Sequence, residues 1–161
     1  MKRVLMALVL VTGCGAGGDQ ANQSAGSAAQ TAGLTGLYEG GSPRPNQLCV
    51  IDRGAGNASF GLVVWGANMH SCSGAGSVGQ AGNKLTLTMA GDQSCTIEAN
   101  ISGGNVTLPA TVPEGCAYYC GAQAKLGGAT FEKKGATAED AMKAVDLVGE
   151  PLCSGGSTQT P

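Results

Sequence analysis

Of the chain's seven cysteines, six lie between residues 49 and 153, in a stretch where apolar and polar side chains alternate. That combination restricts the fold more than any other feature. Leu85, Leu87 and Met89 alternate with Lys84, Thr86 and Thr88, and Cys95, Ile97, Ala99 and Ile101 alternate with Thr96, Glu98 and Asn100. A period of two marks strands with one buried face. The run Phe60-Gly61-Leu62-Val63-Val64-Trp65 is apolar on both phases, as expected of a strand covered on both sides. Gly91-Asp92 and Ser102-Gly103-Gly104-Asn105 supply turn residues between such runs. Strands are predicted near 36–40, 48–52, 60–66, 71–78, 84–90, 94–101, 105–109 and 126–132. The expected fold is mainly β: a small antiparallel meander or barrel of about six to eight strands, disulfide-stabilised, with one C-terminal helix.

A meander restricts the disulfides. Strands bearing Cys49, Cys72 and Cys95 are separated by an intervening strand, and next-nearest strands lie about 9.6 Å apart. A disulfide wants its Cα atoms within about 6.8 Å. Those three cysteines therefore should not pair with one another. Each must find a partner among Cys116, Cys120 and Cys153, which also keeps Cys116 from Cys120. Six cysteines allow about fifteen pairings; this exclusion leaves about six. The first three cysteines also recur at a spacing of 23 residues, each followed by a Gly-Asn pair (Gly56-Asn57, Gly82-Asn83, Gly104-Asn105) and an apolar strand. A hairpin repeat and an ordinary meander both produce this pattern, and both lead to the same architecture.

The helix signal lies near the end. Thr137-Ala138-Glu139-Asp140 resembles a capping box, with Asp in place of Glu or Gln. Ala141, Val145 and Val148 follow at helical spacing, beside Met142, with Gly149 as the stop and Pro151 beyond it. Their apolar stripe is expected to be core, held by Cys153.

The flanks are of different composition. Residues 15–33 are Gly, Ala, Ser, Gln, Asn and Thr with Asp19 as the one charge, the composition of a flexible tether. Residues 154–161 read as a frayed tail, leaving 34–153 as a single β-rich domain. The chain begins with Lys2 and Arg3, then an apolar run from Val4 to Val11, then Thr12-Gly13-Cys14. A basic start, a short apolar core and small residues mark an export signal, and the run is too short for a bilayer span, which needs about 20 apolar residues.

Leu10-Val11-Thr12-Gly13-Cys14 resembles the lipobox of bacterial lipoproteins. The resemblance covers the first fourteen residues. It implies that residues 1–13 are a removed signal peptide, that Cys14 is acylated as the mature N-terminus, and that 14–33 is a lipidated tether. By the same family analogy Gly15 favours the outer membrane, with the periplasmic face as the expected side. Export agrees with six cysteines forming disulfides. Without Lys2 and Arg3, seven basic residues face eleven acidic ones, a net −4. With no basic stripe to neutralise phosphates, nucleic acid is not an expected partner.

Several patterns invite a chemical reading. Gly74-Ala75-Gly76-Ser77-Val78-Gly79 matches the dinucleotide fingerprint in letters, but a strand and not a helix follows it. His70 is the lone histidine, and a hydrolytic arrangement with Ser71 or Ser73 lacks a nucleophile motif. Cys116-Ala117-Tyr118-Tyr119-Cys120 with His70 lacks the ligand spacing of structural zinc. No catalytic residue, metal or cofactor is assigned. Asn22, Asn57, Asn100 and Asn105 each begin a glycosylation sequon, relevant in a eukaryotic secretory protein alone.

The recognition signal is aromatic. Tyr118 and Tyr119 lie between two cysteines, so a disulfide-pinned loop can turn one tyrosine outward at little entropy cost. Trp65, His70, Tyr118 and Tyr119 form the candidate binding surface for a protein or an envelope ligand. In layout, the chain is similar to the membrane-bound lysozyme inhibitors, compact barrels on lipidated tethers, although its cysteine number and C-terminal helix depart from that family. The resemblance implies a non-catalytic binding module, with an inhibitor as one form of it. A structural outer-membrane component and a hydrolase using His70 are the alternatives.

Overall fold

In the computed structural model, residues 33–154 are described. The signal segment, Cys14, the tether as far as residue 32 and the tail beyond Ser154 lie outside them. Eight strands follow one another in order: β1 (Gly36–Gly40), β2 (Asn46–Asp52), β3 (Ala58–Trp65), β4 (Ser71–Ala81), β5 (Lys84–Met89), β6 (Thr96–Ser102), β7 (Asn105–Thr107) and β8 (Thr130–Gly135). Each pairs antiparallel with the next, and β8 returns to β1, closing the barrel. β7 is shorter than the expected 105–109 because Pro109 has no N–H to donate to a ladder. β8 starts four residues later than expected, because Leu126–Ala129 forms a turn in which the Ala129 N–H donates to the Leu126 carbonyl.

The alternation decides what fills the barrel. Leu48, Val50, Phe60, Leu62, Leu85, Leu87, Met89, Ile97, Ala99, Val106 and Phe131 are buried in one cluster, while their strand neighbours Ser77, Lys84, Glu98 and Thr107 face solvent. An eight-stranded barrel is just wide enough for side chains to fill. Here the filling is tight. A Cβ at Gly74, an inward position of β4, would sit 2.8 Å from the Met89 sulfur and 3.1 Å from the Tyr119 ring. The glycines of the fingerprint-like run thus belong to a strand, and Gly74 makes room for larger neighbours. An apolar inside and a largely polar outside is the reverse of a transmembrane barrel. Tyr38 crosses the interior and its hydroxyl donates to the Leu34 carbonyl at 2.6 Å. Burial pushes that hydroxyl's pKa up to about 12. Lys133 lies 5.4 Å from the Tyr38 ring centroid and donates to the Gly33 carbonyl at 2.7 Å.

All six cysteines of the domain are bonded, as Cys49–Cys153, Cys72–Cys120 and Cys95–Cys116. None of the first three pairs with another, as strand spacing requires. A second reason emerges from the faces. Cys72 and Cys95 belong to the barrel interior, whereas Cys49 points outward into a separate cluster with Leu37, Ile51, Ala141, Ala144 and Cys153.

That outer cluster is covered by the C-terminal arm, and here the expectation needs correction. The helix predicted to run to Gly149 is a single turn, α1 (Ala138–Ala141). Its capping box forms as read: the Thr137 hydroxyl accepts from the Asp140 N–H and the Asp140 carboxylate from the Thr137 N–H. Hydrogen bonds from Lys143 and Thr137 hold the Asp140 pKa down to about 2. After Met142 the chain doubles back. Asp146 accepts from the Val148 and Glu150 N–H groups, and the Leu152 N–H donates to the Ala144 carbonyl. The fold-back brings Cys153 to Cys49, which a helix running outward to Gly149 could not do. Ala141 and Ala144 are buried, but Val145 is 38 % and Val148 81 % exposed, so the expected apolar stripe is not core. The arm also covers β3: a Cβ at Gly61 would meet the Leu152 carbonyl at 2.5 Å. The prediction that this strand is covered on both sides holds.

The Cys49–Cys153 bond closes a loop spanning 104 residues of sequence, and the chain-entropy estimate for such a loop is about 4–5 kcal/mol. Replacing both cysteines by Ala is expected to lower stability by roughly 2–4 kcal/mol and to raise amide exchange across 136–154 while β4–β6 remain protected. Denaturant titration with hydrogen exchange reads both quantities.

Candidate functional site

Antiparallel order divides the connections between two ends. At one end lie the β2–β3, β4–β5 and β6–β7 turns, together with residues 33–35 entering β1. Ser154 is there too, its carbonyl accepting from Arg53 in the β2–β3 turn at 3.1 Å. At the other end lie 41–45, 66–70, 90–95 and the long connection 108–129. Trp65, His70, Tyr118 and Tyr119 all lie at this second end.

The long connection caps the barrel. Leu108, Cys116 and Leu126 join the interior, with Val112, Tyr119, Cys120 and Ala124 packed against it. Its centre is a 3-10 turn over Glu114–Tyr119. Cys116 ties the turn to Cys95 ahead of β6, and Cys120 ties its far side to Cys72 on β4. Five residues are thus fixed at both ends. Between the anchors the two tyrosines diverge. Tyr119 turns in over Gly74, and its hydroxyl is buried without a hydrogen-bond partner among the described residues. Tyr118 is 82 % exposed, its ring edge-on to that of Tyr119 at 5.3 Å. One tyrosine supplies the cap's packing and the other stands in solvent.

The neighbouring hairpin is locked to the cap. Asn68 and Met69 both have positive φ, and the His70 N–H donates to the Ala67 carbonyl at 3.0 Å, giving a primed β-turn. Glycine is favoured at the second of those positions, but here a methionine occupies it, 67 % exposed. The Ala67 N–H donates to the Gln123 carbonyl and the Asn68 amide to the Gln123 side chain at 2.7 Å. The His70 imidazole lies against Gly121, where a Cβ would stand 2.8 Å from Nδ1. His70 is therefore joined to the tyrosine loop through Gly121 and the Cys72–Cys120 bond. Trp65 sits further round the rim, where the Arg44 guanidinium stacks 4.2 Å from its ring centroid.

The sulfurs a zinc reading would need are in two different disulfides, and no cluster of metal-ligating side chains occurs among the described residues. The cap carries an open cleft of about 520 Å³ lined by Val112, Pro113, Ala117 and Leu126, with Glu114 and Lys125 contributing charge. An apolar cleft with few polar groups suits ligand contact. Sequence reasoning missed this cleft, Arg44 and Met69. The cleft has no periodic signature, and Met69 became exposed through a turn type that Asn68-Met69 does not announce.

Comparison with known protein families, curated proteins and solved structures finds no match.

The two tyrosines are separable. Tyr119→Phe removes an unpartnered buried hydroxyl and is expected to raise stability by about 1 kcal/mol. Tyr118→Ala should leave stability within about 0.5 kcal/mol of the parent. Thermal unfolding of the two variants checks both.

Proposed function

We infer that this protein is a bacterial cell-envelope lipoprotein whose β-barrel is a non-catalytic binding module, with inhibition of an envelope-directed enzyme as the narrower form of that role. Cys14, following a basic start and an apolar run, is the acylation site, and 14–33 is the tether that holds the barrel off the outer membrane. An oxidising compartment accords with six cysteines of the domain in three disulfides. The binding surface is the cap: Tyr118 at the centre, with His70 and Trp65 on the rim.

The observation that carries this reading is the doubly anchored loop. Tyr118 is exposed on a turn that disulfides fix on both sides. A rigid aromatic residue loses little entropy on binding and is the usual kind of interface anchor. The tether joins the domain at the opposite end, where Gly33 lies, so this geometry turns Tyr118 away from the attachment point.

The test compares the full chain with its Tyr118→Ala variant, each immobilised and exposed to envelope extract. A partner retained by the parent and weakened about tenfold or more by the substitution is expected, as for an interface hot spot. Equal retention by both chains would refute the cap as the recognition surface. Adding the chain to a muramidase assay addresses the inhibitor form. For the anchor, Cys14→Ser should abolish incorporation of a labelled fatty acid.

A further inference from the structure

We propose that the groove between the C-terminal arm and the outer face of β3–β5 binds an acidic, polyhydroxylated ligand: a glycan that carries carboxylates. This site runs along the outer wall of the barrel, bordering the cap only at Ala90 and Gln93, and does not depend on the function proposed for the cap.

The groove holds about 680 Å³, and Ser59, Ser77, Thr88, Asn57, Gln93 and Arg53 supply its polar side chains. The hydroxyls form an ordered row. Ser59 pairs across the sheet with Ser77 and Ser77 with Thr88; beyond the groove's edge Thr88 pairs with Thr96, whose hydroxyl donates to Thr88 at 3.4 Å. All four have the phase opposite to the buried residues Phe60, Val78, Leu87 and Ile97, so the row lies on the outside. Strand spacing sets its repeat at about 4.8 Å. A hydroxyl both donates and accepts, as do the amides of Asn57 and Gln93. Such a row is matched by a ligand that presents hydroxyls at intervals along its length.

Charge narrows the class. Among the described residues no carboxylate lines the groove, although the whole chain carries eleven Asp or Glu. The formal charge they bring to it is the Arg53 guanidinium. Arg53 donates to the Ser59 hydroxyl at 2.8 Å and to the Ser154 carbonyl at 3.1 Å. Of the guanidinium's roughly five N–H groups, two are thereby directed at fixed partners among the described residues. These same bonds hold the guanidinium over the start of the hydroxyl row. A planar guanidinium recognises carboxylate through paired hydrogen bonds. A single cation is too few for a polyphosphate chain, which needs a basic stripe.

The wall opposite the sheet comes from Pro151 to Ser154. Its position is fixed covalently, since Cys153 is bonded to Cys49 on β2. The groove therefore exists before any ligand arrives.

The experiment titrates the full chain with oligogalacturonate, following amide resonances, against a neutral oligosaccharide of the same length and against polyglutamate. With one charge-assisted contact and a row of neutral hydrogen bonds, affinity on the order of 1 mM is expected. Shifts should centre on Ser59, Ser77 and Thr88. The neutral oligosaccharide and polyglutamate should each bind about tenfold more weakly, because each lacks one of the two features recognised. Arg53→Gln should weaken binding about tenfold, and Ser77→Leu, which fills the groove at an exposed strand position, should abolish it. Tyr118→Ala should change nothing. No saturable shifts, equal binding of polyglutamate, or affinity unchanged by both Arg53→Gln and Ser77→Leu would overturn the proposal. Loss of binding in Tyr118→Ala alone would move the ligand to the cap.

Discussion

Closure of β8 onto β1 is the constraint on which the rest depends. An open sheet of eight strands would leave two edges and one apolar face in water; closure removes both problems together. It also fixes the interior volume, so the side chains must share a set space. Tyr38, Phe60 and Phe131 occupy much of it. The inward glycine at 74 is what allows Met89 and Tyr119 to fill the remainder. The cap follows from the same condition, since the interior at that end is open until Leu108, Cys116, Tyr119 and Leu126 fill it.

The three disulfides divide the work differently from one another. Two of them, Cys72–Cys120 and Cys95–Cys116, sit against the interior and hold the cap down. The third lies on the outside and holds the arm against β1–β3. A barrel of this size has a modest core, and covalent ties of this kind commonly supplement one. Their arrangement leaves both proposed surfaces, the tyrosine turn and the outer groove, on segments that a disulfide fixes in place.

The barrel was legible because its determinants are local. Alternation at 84–90 and 94–101 assigns faces residue by residue, and strand spacing alone excludes pairing among Cys49, Cys72 and Cys95. The positions of Tyr118 and Tyr119 between two cysteines marked a pinned loop, but core packing of both rings fitted the sequence as well, and only the tertiary contacts turn Tyr119 in and leave Tyr118 out. The arm was not legible beyond its first turn. Thr137 and Asp140 start a helix by local hydrogen bonds, but its length depends on where Cys153 must go, a contact more than a hundred residues away in sequence. Val145 and Val148 kept a helical spacing in a segment that folds back instead. The hydroxyl row escaped notice for a related reason: Ser59, Ser77, Thr88 and Thr96 are scattered in sequence and meet only once register is known.

Gly33 and Ser154 lie at the same end of the barrel, with Arg53 and Lys133 gripping their carbonyls. A β3-length strand tilted in a barrel spans roughly 20 Å, and Gly33 and Ser154 lie at the end opposite the one that carries Tyr118. A pull applied between Gly33 and Ser154 is therefore taken up by β1, β2 and the arm, which the Cys49–Cys153 bond joins into one piece. The cap stands outside the path of that force. Its geometry would persist while the other end of the molecule is being dragged, a mechanical isolation that follows from an even number of strands.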